Sequence, residues 1–411
     1  MQLIIQDTLT LQKKLNMKPI FLVLSGVLFL TASCQSCSGS QETESASQTE
    51  ITKESNLTKV EASQVISASL ATRKAELKEQ YQTAWNSKTF TVKEAHMRFA
   101  YKIFGEAPEG GHSLYISMHG GGNSPVAVND QQWENQKRLY EPAEGVYLAP
   151  RAPGNTWDLW HVAVIDPLMD EVIEACQAYL DINPNKVYIM GYSAGGDGCY
   201  QLAPRLAERW AAAAMMAGHP GDAQASNLRN VPFTLWVGAN DAAYDRNRLV
   251  PVWNKALDAL QASDAKGYIH DAHVVADKGH WMDREDRAAV PWMAKYTRNP
   301  YPNKIVWTQD DIVRATRYWV QLPTAELVKG GETVVSYAGQ TITIEKCFTS
   351  EMTFWLNDSM LNLDKPVKVV YQGKTLVNER VPRSQKAIKD RINQHYDTAE
   401  QYSANLTVKT K

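Results

Sequence analysis

Short apolar runs alternate with helical patterns through the middle of the chain, between about residues 91 and 322. Each run is rich in aliphatic, aromatic or small residues, as is typical of strands buried in a sheet. The runs are SLYISM (113–118), GVYLAP (145–150), KVYIM (186–190), AAAAMMA (211–217), FTLWV (233–237) and YIHDAHVVA (268–276). This alternation predicts an α/β fold, a largely parallel sheet flanked by helices.

Two stretches show the spacing of an amphipathic helix. One lies in an N-terminal helical segment, residues 59–90, and carries apolar residues at positions 65, 66, 70 and 77. The other spans residues 166–180, where Asp166 is the expected N-cap and Pro167 the expected first helical residue. Its apolar positions are 168, 169, 172, 173, 176 and 180.

The pattern changes after about residue 322, where apolar and polar residues alternate with period two. TITIEK (341–346) and MTFWL (352–356) fit short strands, and the QGK of VKVVYQGKTLV (367–377) fits a tight turn. A helical pattern at about 384–399 precedes a last candidate strand, NLTVKT (405–410). Residues 323–411 are therefore predicted to form a small β-rich C-terminal module beside the 91–322 body.

The N-terminal 34 residues have the pattern of a secretion signal: lysines at 13, 14 and 18, the apolar run PIFLVLSGVLFL, and the small residues TAS before Cys34. The run is shorter than the ~20 residues of a membrane-spanning helix. Cys34 resembles the lipidated cysteine of bacterial lipoproteins, although Thr31 stands where leucine is usual. The Ser/Thr/Glu-rich linker 35–58 fits a tether, so a lipid-anchored protein of the periplasm or cell envelope is expected. Ordinary cleavage nearby is the alternative.

Composition excludes several classes of protein. The chain has 411 residues, 44% of them apolar, and a formal net charge of −2 with no basic stripe, which argues against a nucleic-acid partner. Cys176, Cys199 and Cys347 are too sparse for a disulfide scaffold and lack metal-ligand spacing. His270 and His273 lie three apart on a predicted strand and so face opposite sides. No metal or cofactor is predicted.

One serine lies among closely spaced glycines directly after a predicted strand. The motif GYSAGG (191–196) follows KVYIM and fits the G-x-S-x-G elbow, in which a strained turn exposes the serine hydroxyl, here of Ser193. A serine hydroxyl needs a base to take its proton and a carboxylate to orient that base. In this arrangement the chain order is serine, acid, histidine.

The candidate acid and base follow two later strands. Asp241 ends FTLWVGAND, and His280 lies in the loop after HVVADKG, both where strand ends of an open α/β sheet converge. Asp245 is the rival acid, but the loop directly after the strand favours Asp241. His273 lies inside a strand, and His219 fits a structural or cleft-rim position.

A glycine run supplies candidate donors for an oxyanion hole. In SLYISMHGGGN a strand leads into His119, Gly120, Gly121 and Gly122, whose backbone amides can face a substrate without intervening side chains. The residue after the serine, Ala194, is the expected second donor. One such donor is typically worth about 2.7–4 kcal/mol of barrier.

MHGGGN, GYSAGG, VGAND and KGHW, in this order, resemble the α/β-hydrolase superfamily over residues 95–322. Within it the chain resembles the polyhydroxybutyrate depolymerase and feruloyl or acetylxylan esterase branch, exported serine esterases without a metal. The resemblance implies an α/β-hydrolase sheet with Ser193 as nucleophile, His280 as base and Asp241 as acid. It also implies that Ala194 and a glycine of 120–122 form the oxyanion hole.

The expected substrate is a short-chain or aromatic carboxylic ester, free or polymer-linked. Trp157 and Trp160 in NTWDLWH, Trp281 after the histidine, and His119 are the candidate contacts to it, with core packing as the alternative for the tryptophans. A serine peptidase of the same fold and a catalytically idle binding protein remain alternatives. A binding protein without catalytic activity usually lacks a member of the triad, whereas Ser193, Asp241 and His280 are all present here.

Overall fold

A computed structural model describes residues 54–411, all of which belong to one compact unit. The predicted signal, Cys34 and most of the predicted linker lie outside the described residues. Within residues 54–411, no helix has both the length and the apolar character needed to cross a membrane. The cysteines of this part of the chain, Cys176, Cys199 and Cys347, are free thiols.

The first part of the described chain folds around one large sheet. The elements are α1 (Lys59–Gln80), α2 (Gln82–Ser87), β1 (Thr89–Val92), β2 (Ala95–Phe104), β3 (His112–Met118), α3 (Val126–Gln136), β4 (Gly145–Pro150), α4 (Ile165–Tyr179), β5 (Ile182–Tyr192), α5 (Ala194–Arg205), β6 (Ala212–Met216), β7 (Phe233–Gly238), α6 (Arg246–Ser263), β8 (His270–Val275) and α7 (Ala289–Met293). The strands of the sheet lie in the order β1-β2-β4-β3-β5-β6-β7-β8; β2 pairs antiparallel with β1 and β4, and the pairs from β4 to β8 are parallel. The prediction of an α/β fold is confirmed.

The apolar runs became strands because the sheet is covered on both faces. Every residue of β4, β6 and β7 is buried, so no alternation of polar and apolar positions is needed. Helices α4 and α5 pack against the sheet through continuous apolar faces. Because β3, β5, β7 and β8 all belong to the parallel part of the sheet, their carboxyl ends meet along one edge.

The start of α4 differs from the prediction. The helix begins at Ile165, its cap residue Val164 makes no side-chain capping bond, and Asp166 lies inside the first turn. The guanidinium of Arg205 donates to the Asp166 carboxylate at 2.9 Å, and both side chains are buried. The N-cap prediction for Asp166 is therefore wrong, because a buried ion pair with a helix 39 residues away uses its carboxylate.

The last hundred residues form two smaller sheets. A five-stranded sheet has the order β16-β15-β13-β12-β9 and a four-stranded sheet has the order β10-β11-β14-β17. Strand β9 precedes residue 322, so pairing within this region begins earlier than the period-two pattern. The elements are β9 (Lys304–Thr308), β10 (Thr316–Arg317), β11 (Val320–Gln321), β12 (Glu332–Ala338), β13 (Thr341–Lys346), β14 (Glu351–Leu356), β15 (Val367–Tyr371), β16 (Lys374–Glu379), α8 (Gln385–Gln394) and β17 (Ala404–Lys409).

The two ends of the described chain are joined. Helix α1 packs against α8, and Ser55 forms an isolated bridge with Ser384. The backbone amide of Leu57 donates to the carbonyl oxygen of Arg383 at 3.2 Å, and the amide of Gln385 donates to Glu54 at 2.9 Å.

A buried charged cluster connects the C-terminal region to the main body. The guanidinium of Arg298 donates to Asp397 at 2.8 Å and to the backbone oxygen of Glu208 at 2.6 Å. Arg391 pairs with Glu400, and burial with nearby arginines holds the pKa of His395 well below its ordinary value. His395, Asp397 and Glu400 are close enough to share a metal ion, but guanidinium groups already contact each of them.

Candidate active site

Ser193 occupies a strained turn between β5 and α5. Its backbone has φ 58° and ψ −123°, outside the conformations that ordinary residues favour. The glycines on either side make the turn possible, because the backbone there is packed too closely for a side chain. A Cβ on Gly195 would lie 2.1 Å from the carbonyl oxygen of Met118, and a Cβ on Gly191 would lie 2.0 Å from the carbonyl oxygen of Gly195. The amide of Ser193 donates to Met216 at 2.9 Å, which fixes the turn on the neighbouring strand.

The structure brings Ser193, His280 and Asp241 together from loops after β5, β8 and β7. His280 Nε2 lies 2.9 Å from Ser193 Oγ, and His280 Nδ1 lies 2.8 Å from Asp241 Oδ2. The Nδ1 proton is donated to the carboxylate, so Nε2 is the acceptor for the serine hydroxyl. The sheet order and the serine turn after its central strand decide the fold. The fold is that of the α/β-hydrolases.

Asp241 is buried, whereas its rival Asp245 is exposed. Arg246 lies 3.7 Å from the second carboxylate oxygen of Asp241 and helps to compensate the buried negative charge. The Asp245 carboxylate pairs with Arg248 at the surface and has no contact with His280. His273 bonds Asp271 and stacks on Trp236, away from the serine.

The glycine loop after β3 approaches the serine with two unused amides. A Cβ on Gly120 would lie 2.9 Å from the Cβ of Ser193, so this part of the loop lies against the nucleophile. In the described part of the chain, the amides of Gly120 and Gly121 donate to no acceptor. The amide of Gly122 instead donates to Asn129 Oδ1 at 2.8 Å. Gly122 is therefore not a free donor, and that part of the oxyanion prediction is corrected.

Asn129 is a residue of this site that the sequence analysis missed. Its side chain is buried on α3, accepts the Gly122 amide and donates to the carbonyl oxygen of Ser124 at 2.9 Å. Gly121 has φ +110°, and a Cβ there would lie 2.3 Å from Asn129 Oδ1. One side chain thus holds the C-terminal end of the glycine loop, and no local motif marks it in the sequence.

His119 and Trp160 lie beneath the glycine loop, away from solvent. Both are fully buried, and the Trp160 indole donates to the His119 carbonyl oxygen at 3.0 Å. His119 Nδ1 donates to the carbonyl oxygen of Gly120, while Nε2 accepts the amide of Ala152. Burial lowers the pKa of His119 to about 4, which fits this neutral ring. Their predicted substrate contacts are wrong, because packing and backbone bonds use both side chains.

Trp157 and Trp281 are exposed beside the triad loops, as a substrate-contacting role requires. Their exposed fractions are 53% and 49%. Trp157 packs on Tyr244, whose ring lies 5.4 Å away in the loop after Asp241, and Trp281 packs on Tyr192. Tyr244 is a second residue that the sequence analysis missed, although an aromatic residue three positions after the acid was a usable signal.

Asp197 and His219 are joined by a hydrogen bond just beyond Ser193. Asp197, in the first turn of α5, accepts the backbone amide of His219 at 2.6 Å. Burial raises the pKa of Asp197 to about 6, and the hydrogen bond from His219 and the charge of Arg246 offset only part of that effect. Partial burial lowers the pKa of His219.

Comparison with known proteins gives matches only among solved structures. No protein-family model and no curated protein matches the chain. The match to a thermostable esterase covers 51% of this chain and 62% of the esterase chain, with 19% sequence identity and a TM-score of 0.37. The match to a ferulic acid esterase covers 50% of this chain and 96% of that esterase, with 16% sequence identity and a TM-score of 0.32. The match to the feruloyl esterase module from Clostridium thermocellum, complexed with sinapinate, covers 50% of this chain and 90% of the module, with 14% sequence identity and a TM-score of 0.31.

Proposed function

We propose that this protein is a serine hydrolase that cleaves carboxylic esters through an acyl-enzyme intermediate. The observation that carries the proposal is the continuous pair of contacts from Ser193 through His280 to Asp241, at 2.9 and 2.8 Å. Both distances lie within the range in which a base can take a proton from a nucleophile. The exposed edge of His280 and the unused loop amides leave room for a substrate carbonyl beside the serine.

In the first half of the reaction, Ser193 Oγ attacks the ester carbonyl carbon while His280 Nε2 takes the hydroxyl proton. The negative oxygen of the tetrahedral intermediate accepts bonds from the Ala194 amide and from Gly120 or Gly121. Asp241 stabilises the imidazolium without taking its proton. The intermediate then expels the alcohol, which receives that proton from His280, and the acyl group stays on Ser193.

In the second half, water replaces the alcohol. His280 takes a proton from the water while the water oxygen attacks the acyl carbon; when the tetrahedral intermediate collapses, the bond to Ser193 Oγ breaks, His280 returns the proton to that oxygen, and the acid leaves. An ester demands less of the general acid than a peptide does, since an alkoxide leaves more readily than an amine. The exposed rings of Trp157, Tyr244 and Trp281 favour an aromatic acyl group or a sugar face.

A panel of esters and peptides tests the reaction class, with Ser193→Ala as the blank. Wild type should hydrolyse short-chain and aromatic esters, and a fluorophosphonate probe should label it in a manner that requires Ser193. Ser193→Ala and His280→Ala should each lose nearly all activity, and the double variant should lose little more, because the members of a triad act as one unit.

Two results would contradict the proposal. Undiminished labelling of Ser193→Ala would remove the nucleophile assignment. Efficient peptide cleavage with negligible ester hydrolysis would replace the esterase by a peptidase of the same fold.

A further inference from the structure

The hydroxyl group of Tyr192 holds the loop that carries His280. Tyr192 Oη donates to the carbonyl oxygen of His280 at 2.6 Å and accepts the backbone amide of Met282 at 3.1 Å. Among residues 54–411, no other group hydrogen-bonds the His280 carbonyl oxygen. The two bonds fix residues 280–282, the short backbone segment that carries the His280 imidazole.

The surroundings of Tyr192 suit this double role. The side chain of Tyr192 is 8% exposed. Its ring packs edge-on against the His280 ring, with centroids 6.0 Å apart, and in a tilted orientation against the Trp281 ring, with centroids 5.7 Å apart. Burial raises the pKa of Tyr192, so the hydroxyl keeps the proton that it donates. The same oxygen retains a lone pair for the Met282 amide.

Other anchors of the loop lie at its ends. The amide of Asn240 donates to the carbonyl oxygen of Lys278 at 2.7 Å, and the Tyr140 hydroxyl donates to the buried carboxylate of Asp286. Neither contact reaches the His280 peptide. Loss of the Tyr192 hydroxyl would therefore leave the loop attached while freeing its central segment.

We propose that Tyr192 is a positioning residue that fixes the general base relative to the nucleophile. It directly precedes Ser193 in the chain, so one residue anchors Ser193 covalently and His280 by hydrogen bonds. The separation of 2.9 Å between Ser193 Oγ and His280 Nε2 then depends on the rigid end of β5. This inference rests on the proposed serine hydrolase function.

Tyr192→Phe tests the proposal, because it keeps the ring and removes only the hydroxyl. Tyr188→Phe is the matched control: Tyr188 lies on the same strand, is buried, and donates to the carbonyl oxygen of Tyr296 at 2.9 Å, with no contact to the triad. The experiment follows the full chain during fluorophosphonate labelling and measures two quantities, the rate constant and the final labelled fraction. Steady-state hydrolysis of p-nitrophenyl acetate supplies kcat and KM.

Tyr192→Phe should be labelled about 10- to 100-fold more slowly than wild type but to the same final fraction, since small misplacements of reacting groups cost up to about 10²-fold. Its kcat should fall with KM within about twofold, and Tyr188→Phe should stay within about twofold of wild type throughout. A wild-type rate for Tyr192→Phe, or a reduced final fraction labelled at the wild-type rate, would overturn the positioning role. Wild type that is not labelled at Ser193 would instead overturn the proposed function.

Discussion

Asn129 connects helix α3 to the glycine loop that lies against Ser193. Its amide oxygen accepts the Gly122 amide, and its nitrogen donates to the Ser124 carbonyl oxygen, so the C-terminal end of that loop has a fixed path. Backbone donors stabilise a developing oxyanion only when their direction is set before the reaction. In the proposed hydrolase, Asn129 would therefore support catalysis without touching the substrate.

Asn129→Ala should lower kcat/KM of ester hydrolysis by about tenfold or more. The substitution leaves the Gly122 amide without its acceptor and lets the loop turn, within a limit set by the ~2.7–4 kcal/mol that one oxyanion donor supplies. Asn135→Ala, on the exposed side of the same helix, is the control for helix stability. Equal effects of the two variants would exclude a special role for Asn129.

Asp197 should make the stability of the protein depend on pH between about 4 and 6. Burial raises its pKa from 3.8 to about 6, so the folded protein binds the proton more tightly than the unfolded chain. The resulting stabilisation is fully present below about pH 4 and is lost as the pH rises through about 6; the difference corresponds to ~3 kcal/mol at most.

Urea unfolding of wild type and Asp197→Asn at pH 4, 5, 6 and 7 measures this contribution. The free energy of unfolding of wild type relative to the variant should fall over that range. Asp390→Asn, a change at the surface of α8, controls for the loss of a charge. A constant difference between wild type and Asp197→Asn would contradict the prediction.

The proposed catalytic residues were easier to find in the sequence than the residues that hold them in place. Ser193, Asp241 and His280 each follow a recognisable strand, and chain order restricted the choice. Asn129 and Tyr192 act through hydrogen bonds between a side chain and the backbone of a loop, and no sequence motif marks either residue for that role.

At the scale of the element, strands with a continuous or strictly alternating apolar pattern were predictable, and strands without such a pattern were not. The six apolar runs all became strands, and β4, β6 and β7 are buried along their whole length, which leaves a continuous apolar pattern. Strand β2 is mostly exposed or half-buried, carries the charged residues Arg98 and Lys102, and was missed. The same limit explains Asp166, whose partner Arg205 is known only once α4 and α5 are packed together.

The loop between β4 and α4 contains two tryptophans that the sequence could not distinguish. Trp157 is exposed against Tyr244, whereas Trp160 is buried against Gly198, where a Cβ would lie 2.5 Å from that of Trp160. Exposure depends on which side of the loop packs on α5. The two positions therefore lead to different expectations for the same substitution.

Trp157→Ala should lower kcat/KM for bulky aromatic esters by up to about tenfold while hydrolysis of p-nitrophenyl acetate stays within about twofold, since an aromatic pair contributes ~0.5–1.5 kcal/mol. Trp160→Ala should instead destabilise the fold by about 3–5 kcal/mol. Kinetics on both esters and thermal unfolding of both variants check the pair. Equal losses on the two esters would leave Trp157 with a loop-supporting role only.

For the whole molecule, the buried arginines determine whether the C-terminal region stays docked. Arg298→Met should destabilise the protein by about 3–5 kcal/mol, because it leaves the Asp397 carboxylate buried with its main partner removed. Lys346→Met, which breaks an exposed ion pair, should cost at most about 1 kcal/mol. Chemical unfolding measures both, and a similar small loss in each variant would contradict the assigned role of Arg298.

We also propose that Cys34 carries lipid and anchors the protein to a membrane of the cell envelope. Each buried methylene contributes only about 0.8 kcal/mol, so stable anchoring takes more than one acyl chain or a second attraction. Cys34→Ser should convert a membrane-associated protein into a soluble or uncleaved one, as fractionation and N-terminal analysis would reveal. Fully soluble wild type that begins beyond residue 34 would disprove the anchor.

The junction between α1 and α8 also sets the order in which the molecule can be completed. Leu57 and Arg383, which touch there, are 326 positions apart. At about 5–20 residues per second, the ribosome delivers the second roughly 15–65 s after the first. Helix α1 is thus among the first elements made and among the last to find its full packing partner. A chain stopped before residue 383 would leave that helix partly uncovered, with exposed apolar positions that favour aggregation.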